Sequence, residues 1–411
     1  MRQRLSIIPY QTGAARQTVT IANIDRAGAA MLPKFNLPAG LVYLNSAAQT
    51  PRLRAALTAG AQALQRAALP WTETMHDWLA RPQCVRALFA HLIGYDPNGV
   101  ALLPSVAYGM ALAARCLTLQ PRQIVLTLSD EHPSAVNAWQ VAAQNQGAEL
   151  RQVSISDQGD WTESLLAAID ERVAVVVTPA CHWHDGRRIN LPRIAAAARA
   201  HGAALVVDAT QALGVLDIDL AALDADFVIA AGHKWLLGGA GLSYACIAER
   251  HRQAQPLEQT AWARVGGLAG AIHNGQLPAY SGGAARFDGS GLYSHPSLAM
   301  SEIGLRQLQT WVPAAVRQRL QSWQHYLLEA LLSHGLGDWR VIADSPHLTG
   351  LRPPGGNQQF CQELAQDLLA QNIVIAARGG YIRVSPYLHN GPEDATQLCA
   401  GLAQAWLRLR R

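Results

Sequence analysis

Lysine is almost missing from this chain: of 33 basic residues in 411, only Lys34 and Lys234 are lysines. Any chemistry that needs a primary amine therefore has two candidates, and Lys34 lies in a Pro-flanked N-terminal stretch. A composition heavy in Ala, Leu and Arg can deplete lysine without a functional reason, so the setting of Lys234 has to decide its meaning. Long apolar runs are missing too. No stretch of about 18 apolar residues occurs, which argues against a membrane helix, and the run before Pro9 is too short for the core of a signal peptide. The expectation is a cytoplasmic protein with no membrane partner. None of the six cysteines forms a C-x-x-C pair or another zinc-ligand spacing, so they read as buried thiols of a reducing compartment, with no metal site. Charged residues make up 15% of the chain and the net charge is +4, with the arginines scattered. That leaves no nucleic-acid footprint and suits a small anionic ligand. A nucleotide-binding α/β protein is disfavoured because no G-x-G-x-x-G follows the first strand and no Walker lysine exists.

What is present is a long alternation of short apolar runs and helical periods. With 50% hydrophobic residues the chain can build one large domain and a smaller one. Residues 1–38 read as an N-terminal arm. From the Leu41-Val42-Tyr43-Leu44-Asn45 run onward, helical spacing over 53–69 is followed by seven strand candidates at 100–103, 123–128, 149–153, 173–178, 204–208, 227–231 and 242–247. Helix-like stretches such as 134–146 and 191–201 separate most of them. Interior runs such as Val173-Ala174-Val175-Val176-Val177 lack polar alternation, as parallel strands covered on both faces do. The composition changes after a Gly-rich segment at 282–291. Helices at 297–310, 314–333, 358–371 and 392–409 then alternate with short strands near 339–342 and 382–385. The spacing thus predicts an α/β fold: a large domain over 39–290, with a mostly parallel seven-stranded sheet flanked by helices, and a smaller α+β C-terminal domain over 291–411.

Asp208 ends one interior run, and Lys234 follows the next, 26 residues later. In parallel sheets ligands sit beyond the strands' carboxyl ends, so both side chains emerge where a ligand would lie. An acid and a lysine there match the needs of pyridoxal phosphate: lysine holds the aldehyde as a Schiff base, and the carboxylate keeps the pyridine nitrogen protonated. Taken alone, Asp208 also reads as a helix N-cap. A surface role for Lys234 fits poorly between Gly232 and the apolar Trp235-Leu236-Leu237.

The segments Val206-Val207-Asp208-Ala209-Thr210-Gln211-Ala212, Asp224-Ala225-Asp226-Phe227 and Gly232-His233-Lys234-Trp235-Leu236-Leu237-Gly238 together resemble the central signature of the class V aminotransferase family. That family includes cysteine desulfurases, kynureninases, isopenicillin N epimerase-like enzymes and C–S lyases. The resemblance implies fold type I, pyridoxal 5′-phosphate as cofactor, an amino acid or amine as substrate, and a homodimer with shared active sites. It makes Lys234 the lysine that bonds the cofactor, Asp208 the partner of its ring nitrogen and Gln211 a neighbour of its phenolic oxygen. Pro104-Ser105-Val106-Ala107 links a strand to a helix, a turn whose amides can cradle a phosphate. Glu131-His132 resembles the family pair that places an imidazole, here His132, over the ring. His182 and Trp183 fall where the family contacts cofactor and substrate. Their i, i+2 neighbour His184 finds no third partner for a metal. In the resembling C-terminal strand Arg383 clamps the substrate carboxylate, with Arg378 a second candidate and Asn45 a further substrate contact. Arg286 to Gly291 resembles the segment that reaches the partner subunit's phosphate, through Ser290.

Two departures from the family pattern narrow the chemistry. Hydroxyl-bearing phosphate ligands are replaced by Ala231 and Ala107, each loss worth about 1 kcal/mol. His233, Ser105, Ser290 and backbone amides can compensate. Desulfurases carry a nucleophilic cysteine near the carboxylate-binding strand, whereas Cys361 and Cys399 both fall in helix-like runs. The expectation is therefore a lyase cleaving a C–S or related bond by β- or γ-elimination. An aminotransferase or epimerase is the alternative on the same scaffold, and a non-catalytic binding protein with the same fold is the alternative of another class. Trp183, Tyr108, Trp139 and Tyr293 read more readily as packing than as an aromatic substrate pocket.

Overall fold

A computed structural model describes residues 34–156, 159–267, 276–289 and 294–409; most of the N-terminal arm, Ser290 and Tyr293 lie outside the described residues. All seven expected strands form, and they form one sheet. A short β1 (Val42–Tyr43) comes first in the chain. The sheet itself consists of β2 (Val100–Leu103), β3 (Ile124–Leu128), β4 (Glu149–Val153), β5 (Val173–Pro179), β6 (Ala204–Asp208), β7 (Phe227–Ala231) and β8 (Ser243–Ile247), in the order β2-β8-β7-β6-β5-β3-β4. β8 alone runs opposite to the other six strands.

Both faces of the sheet are apolar because side chains alternate between two cores. Ile124, Leu126, Leu205, Val207, Val228 and Ala230 face one core, shared with the helices Trp161–Ala168 and Leu191–Ala200. Val125, Val206, Phe227 and Ile229 face the other, shared with Val106–Cys116 and Pro133–Gln146. This alternation decides where the chemistry goes. The parallel strands end on one edge, so β3, β5, β6 and β7 release their following loops together. Antiparallel β8 starts there, bringing Ser243 to the same edge opposite Ala231.

The C-terminal part is richer in strands than its sequence suggests. β9 (Arg340–Ser345), β10 (Leu348–Arg352), β12 (Ala376–Arg378) and β13 (Tyr381–Val384) form an antiparallel sheet in the order β12-β13-β10-β9, while β11 (Ile373–Val374) pairs in parallel with β1. β10 reads Leu-Thr-Gly-Leu-Arg, a pattern too short and too interrupted to signal a strand. Packing also crosses the expected division at 290. Val42 and Leu44 are buried with Trp323, Leu364 and Leu398 in the C-terminal core, whereas Leu298, Leu305 and Leu308 of helix His295–Trp311 join the core beneath the large sheet. A further helix, Met75–Ile93, has no counterpart in the sequence reading. Thr74 and Asp77 close its N-terminus as a capping box, but Pro82 interrupts its apolar period.

β2 is an edge strand, and residues 288–289 cover it. Asp288 accepts the Leu102 amide (2.8 Å) and holds Arg86 through two bonds of 2.6 and 3.2 Å, while the Gly289 amide donates to the Leu102 carbonyl. Both charges are almost fully buried. Removing one partner of such a pair strands the other in a dry interior. Asp288→Ala is expected to lower the unfolding free energy by about 3 kcal/mol, read as a shifted denaturation midpoint at unchanged denaturant slope. A loss under about 1 kcal/mol would contradict a buried pair of this kind.

Candidate active site

The shared edge of the large sheet and the face of the β12–β13 hairpin enclose a cavity of about 470 Å³. Its wall contains Ser105, Val106, Ala107, His132, Trp183, Asp208, Gln211, His233, Lys234, Arg378 and Arg383. Eleven residues from six separate chain segments therefore meet as the sequence reading expects. Two of the expected residues that are described do not line it. His182 is buried behind the wall, where its Nδ1 pairs with Asp185 (3.1 Å) and its ring packs on Trp161. Asn45 is not part of the wall but accepts from Arg383 Nη2 (3.1 Å), a bond that orients the guanidinium. Ser290 lies outside the described residues.

Lys234 sits in a short loop after β7 that the protein holds at several points. The Gly238 amide donates to Gly232 (2.8 Å), the Gly232 amide to Leu242 (3.0 Å), and the fully buried Trp235 indole N–H to the Gln211 side chain (2.7 Å). Gly238 and Gly304 allow this loop its close packing against helix His295–Trp311: a Cβ on Gly304 would lie 2.7 Å from the Leu237 carbonyl. Burial pushes the Lys234 ammonium down to about 8, opposed by the attraction of Asp208 and assisted by Arg383 and Arg378. The amine is thereby available near neutral pH. Asp208, at the end of β6, is fixed by the Thr210 amide on one carboxylate oxygen (2.8 Å).

Gln211 lines the cavity and also braces its wall. Its Oε1 accepts from Trp235, its Nε2 donates to the Ala47 carbonyl (2.9 Å), and its own carbonyl meets His347 Nε2 (2.6 Å). It ties four chain segments of the wall together, and a role toward the phenolic oxygen leaves it only one spare N–H. His132 accepts the Ser134 amide on Nδ1 (3.2 Å), which places its proton on Nε2, and presents its edge to Trp183. Burial, with Lys234 next, holds the imidazole below its ordinary range.

Among the wall residues with no role in the sequence reading, Glu131, Thr210, Ser243 and Cys181 carry polar or ionisable side chains. Glu131 is buried and uses Oε1 to accept the His132 amide (2.6 Å), leaving Oε2 without a partner. Burial and then Asp208 push its carboxyl up to about 7. Thr210 accepts the Ala231 amide, locking β7 to the turn after Asp208. Ser243 lies directly opposite Ala231 on the neighbouring strand and brings a hydroxyl to the cavity beside it, a placement visible only once the register of β7 and β8 is known. Cys181 lines the cavity as well, although the sequence places it in an apolar run. Its thiol contacts Ser345 Oγ (3.2 Å), and burial pushes it up to about 12, so it remains a thiol at neutral pH. Cys361 and Cys399 are buried elsewhere. Of the tryptophans considered in the sequence, Trp183 is a wall residue, whereas Trp139 is core.

The donor set fits one cofactor. Ser105 caps the helix Val106–Cys116 by accepting the Tyr108 amide (3.1 Å), leaving the first-turn amides of Val106 and Ala107 directed at the cavity for an anion. A desolvated lysine and a strand-end carboxylate stand at the same edge. A helix terminus for phosphate, a lysine for an aldehyde and an acid for a pyridine nitrogen define a fold type I enzyme that uses pyridoxal 5′-phosphate. The model of the family "Aminotransferase class-V" matches residues 42–389, and the chain belongs to the class V aminotransferase family. It is similar to isopenicillin N epimerase of Streptomyces clavuligerus, 28% identical over 77% of this chain and 82% of that protein. It is also similar to kynureninase of Deinococcus radiodurans, 31% identical over 56% of this chain and 57% of that one. Among solved structures, a cystine C–S lyase in complex with cysteine persulfide shares the fold with a TM-score of 0.79 at 21% identity, over 89% of this chain and 98% of that one. Among the described residues no helix is long and apolar enough to cross a membrane.

Two measurements probe this arrangement. Reductive ¹³C-methylation of the apoenzyme labels its two lysines, and the resonance removed by Lys234→Ala is expected to titrate near 8; a midpoint above about 10 would refute a desolvated amine. Gln211→Leu is expected to destabilise apo and holo forms alike by about 2 kcal/mol, through the unpaired Trp235 N–H and Ala47 carbonyl. A variant of unchanged stability with weaker cofactor binding would return Gln211 to the cofactor.

Proposed function

We propose that the enzyme is a lyase that removes a β- or γ-substituent, by breaking a C–S or related bond, from an amino acid whose carboxylate Arg383 holds. The observation that carries this reading is the amine that the loop after β7 places in the cavity, Lys234. Lys234 lies near neutrality, whereas burial pushes His233 down to about 4 and keeps His132 below its usual range. Epimerisation calls for proton exchange on both faces of the α-carbon, and elimination needs only one group that takes a proton there and returns it to the departing substituent. Persulfide chemistry calls for a thiolate, and Cys181 is held as a thiol.

When bound, pyridoxal phosphate supplies an electron-withdrawing ring that stabilises negative charge at the substrate's α-carbon. The protein does the rest. The Val106 and Ala107 amides, with Ser105 and Ser243, hold the phosphate, and Asp208 holds a proton on the ring nitrogen. Arg383, oriented by Asn45 and by the Trp183 carbonyl (2.8 Å), fixes the substrate carboxylate so that the α C–H faces Lys234. The Lys234 amine takes that proton, then delivers it to the leaving group. Trp183 and His132 line the cavity and pack against each other. The homodimer with shared active sites remains part of this reading. The exposed Leu64, Leu69, Trp71 and Met75, close together in the chain, support it.

The test is a product assay on holoenzyme supplied with amino acids and their S-conjugates. Stoichiometric 2-oxo acid and ammonia, with the cofactor unchanged, is the expected result. Aminated cofactor would establish transamination instead, and α-deuterium exchange with inversion and no ammonia would establish epimerisation. Borohydride reduction of the same preparation is expected to attach the cofactor's mass to the Lys234 peptide, and attachment elsewhere would overturn the role of Lys234.

A further inference from the structure

The hairpin that carries Arg383 presents a second guanidinium to the same cavity. β12 and β13 pair Ala376 with Arg383, Ala377 with Ile382 and Arg378 with Tyr381. Directly opposed residues of an antiparallel pair share a face, as do residues two apart on one strand. Ala377, Ile382 and Val384 therefore share the face turned into the C-terminal core, and Arg378 and Arg383 share the face turned to the cavity. The two-residue turn between the strands is Gly379-Gly380, both at positive φ (54° and 78°), the geometry of a tight hairpin that keeps the arginines diagonal neighbours. His184 backs that turn: a Cβ on Gly379 would lie 2.5 Å from His184 Nδ1.

Neither guanidinium forms an ion pair with a carboxylate among the described residues. Arg383 is 2% exposed, donates to the Trp183 carbonyl and to Asn45 Oδ1, both uncharged, and keeps a buried Nε–H without an acceptor. Arg378 is half-buried and donates to the carbonyl of its own neighbour Ala377 (2.9 Å). Two like charges held on one face, facing a cavity that also contains Lys234, oppose each other and the lysine. Water solvates the half-buried Arg378, and a ligand that displaces this water must bring negative charge to neutralise the pair. The cofactor phosphate already has the helix terminus at Ser105 and the first-turn amides. One substrate carboxylate satisfies Arg383. A cation remains.

We propose that the substrate is an amino acid with a second acidic group on its side chain, a carboxylate or a sulfur oxyanion, which Arg378 binds while Arg383 holds the α-carboxylate. This rests on the reading of the cavity as an amino-acid site and is independent of how the reaction ends.

Simple acids without an amino group separate the two questions. Succinate and glutarate, against butyrate and valerate, are titrated into holoenzyme while the near-visible cofactor band is followed, and the acidic amino acids aspartate, glutamate and cysteine sulfinate are compared with alanine and norvaline. Wild-type enzyme is expected to favour the diacids over the monoacids by about tenfold or more, as a charge-assisted bond warrants. Arg378→Gln is expected to remove that preference, and Arg378→Lys to restore part of it. Near-ultraviolet circular dichroism identifies any variant that is misfolded. Equal binding of mono- and diacids by wild-type enzyme would overturn the proposal. So would an Arg378→Gln variant that loses both classes equally, since both arginines would then grip one carboxylate. Diacid preference without turnover of any amino acid would leave this proposal standing and sink the lyase.

Discussion

The side chain of Gln211 holds the active-site wall together. Its carbonyl oxygen accepts from Trp235, one residue beyond the reactive lysine, its amide reaches Ala47 near the start of the described chain, and its backbone carbonyl meets His347 from the C-terminal layer. All these groups are buried, where an unpaired donor or acceptor costs more than the bond itself yields. The loop of Lys234, the turn after Asp208, the N-terminal segment and the C-terminal layer are thereby held in one arrangement. An amine kept out of water needs that rigidity. A loop free to swing would let the ammonium regain solvent, and its depressed proton affinity would vanish.

The second organising force is charge without internal balance. Lys234, Arg378 and Arg383 face a cavity whose acids are Asp208 and the largely desolvated Glu131. The helix terminus at Ser105 adds further positive potential. A protein that only sought stability would pair or remove these cations. Their uncompensated state makes physical sense as affinity held for anions yet to arrive: a phosphate, a carboxylate and, as proposed above, a second acidic group. The cysteines follow the opposite rule. Cys181 stands in the wall but is silenced by burial, so proximity to the site does not make it a nucleophile.

Much of the architecture was legible from periodicity. Apolar runs without polar alternation marked the seven strands because strands covered on both faces have no solvent side to record. Asp208 and Lys234 were legible because each follows directly on such a run. The missed elements share a physical cause. β10 contains Gly350 and Thr349 in five residues, and helix Met75–Ile93 contains Pro82, so local pattern and final structure disagree where tertiary packing supplies the stability. Of the residues placed by resemblance at the ligand, Gln211 lines the cavity and also braces its wall, His182 is buried against Asp185 and Trp161, and Asn45 binds Arg383.

By itself the sequence determined the alternation of strands and helices, the edge at which loops emerge, and the lysine and acid delivered there, because these depend on contacts between near neighbours in the chain. Only the tertiary structure decided which hydroxyl lies opposite Ala231, which cysteine enters the wall and which face of the β12–β13 hairpin turns two arginines toward the ligand. Those outcomes depend on strand register and on the meeting of segments more than a hundred residues apart, such as Asn45 and Arg383. Register shifts by one residue exchange the two faces of a strand, and nothing in a local pattern reports which partner strand will set it.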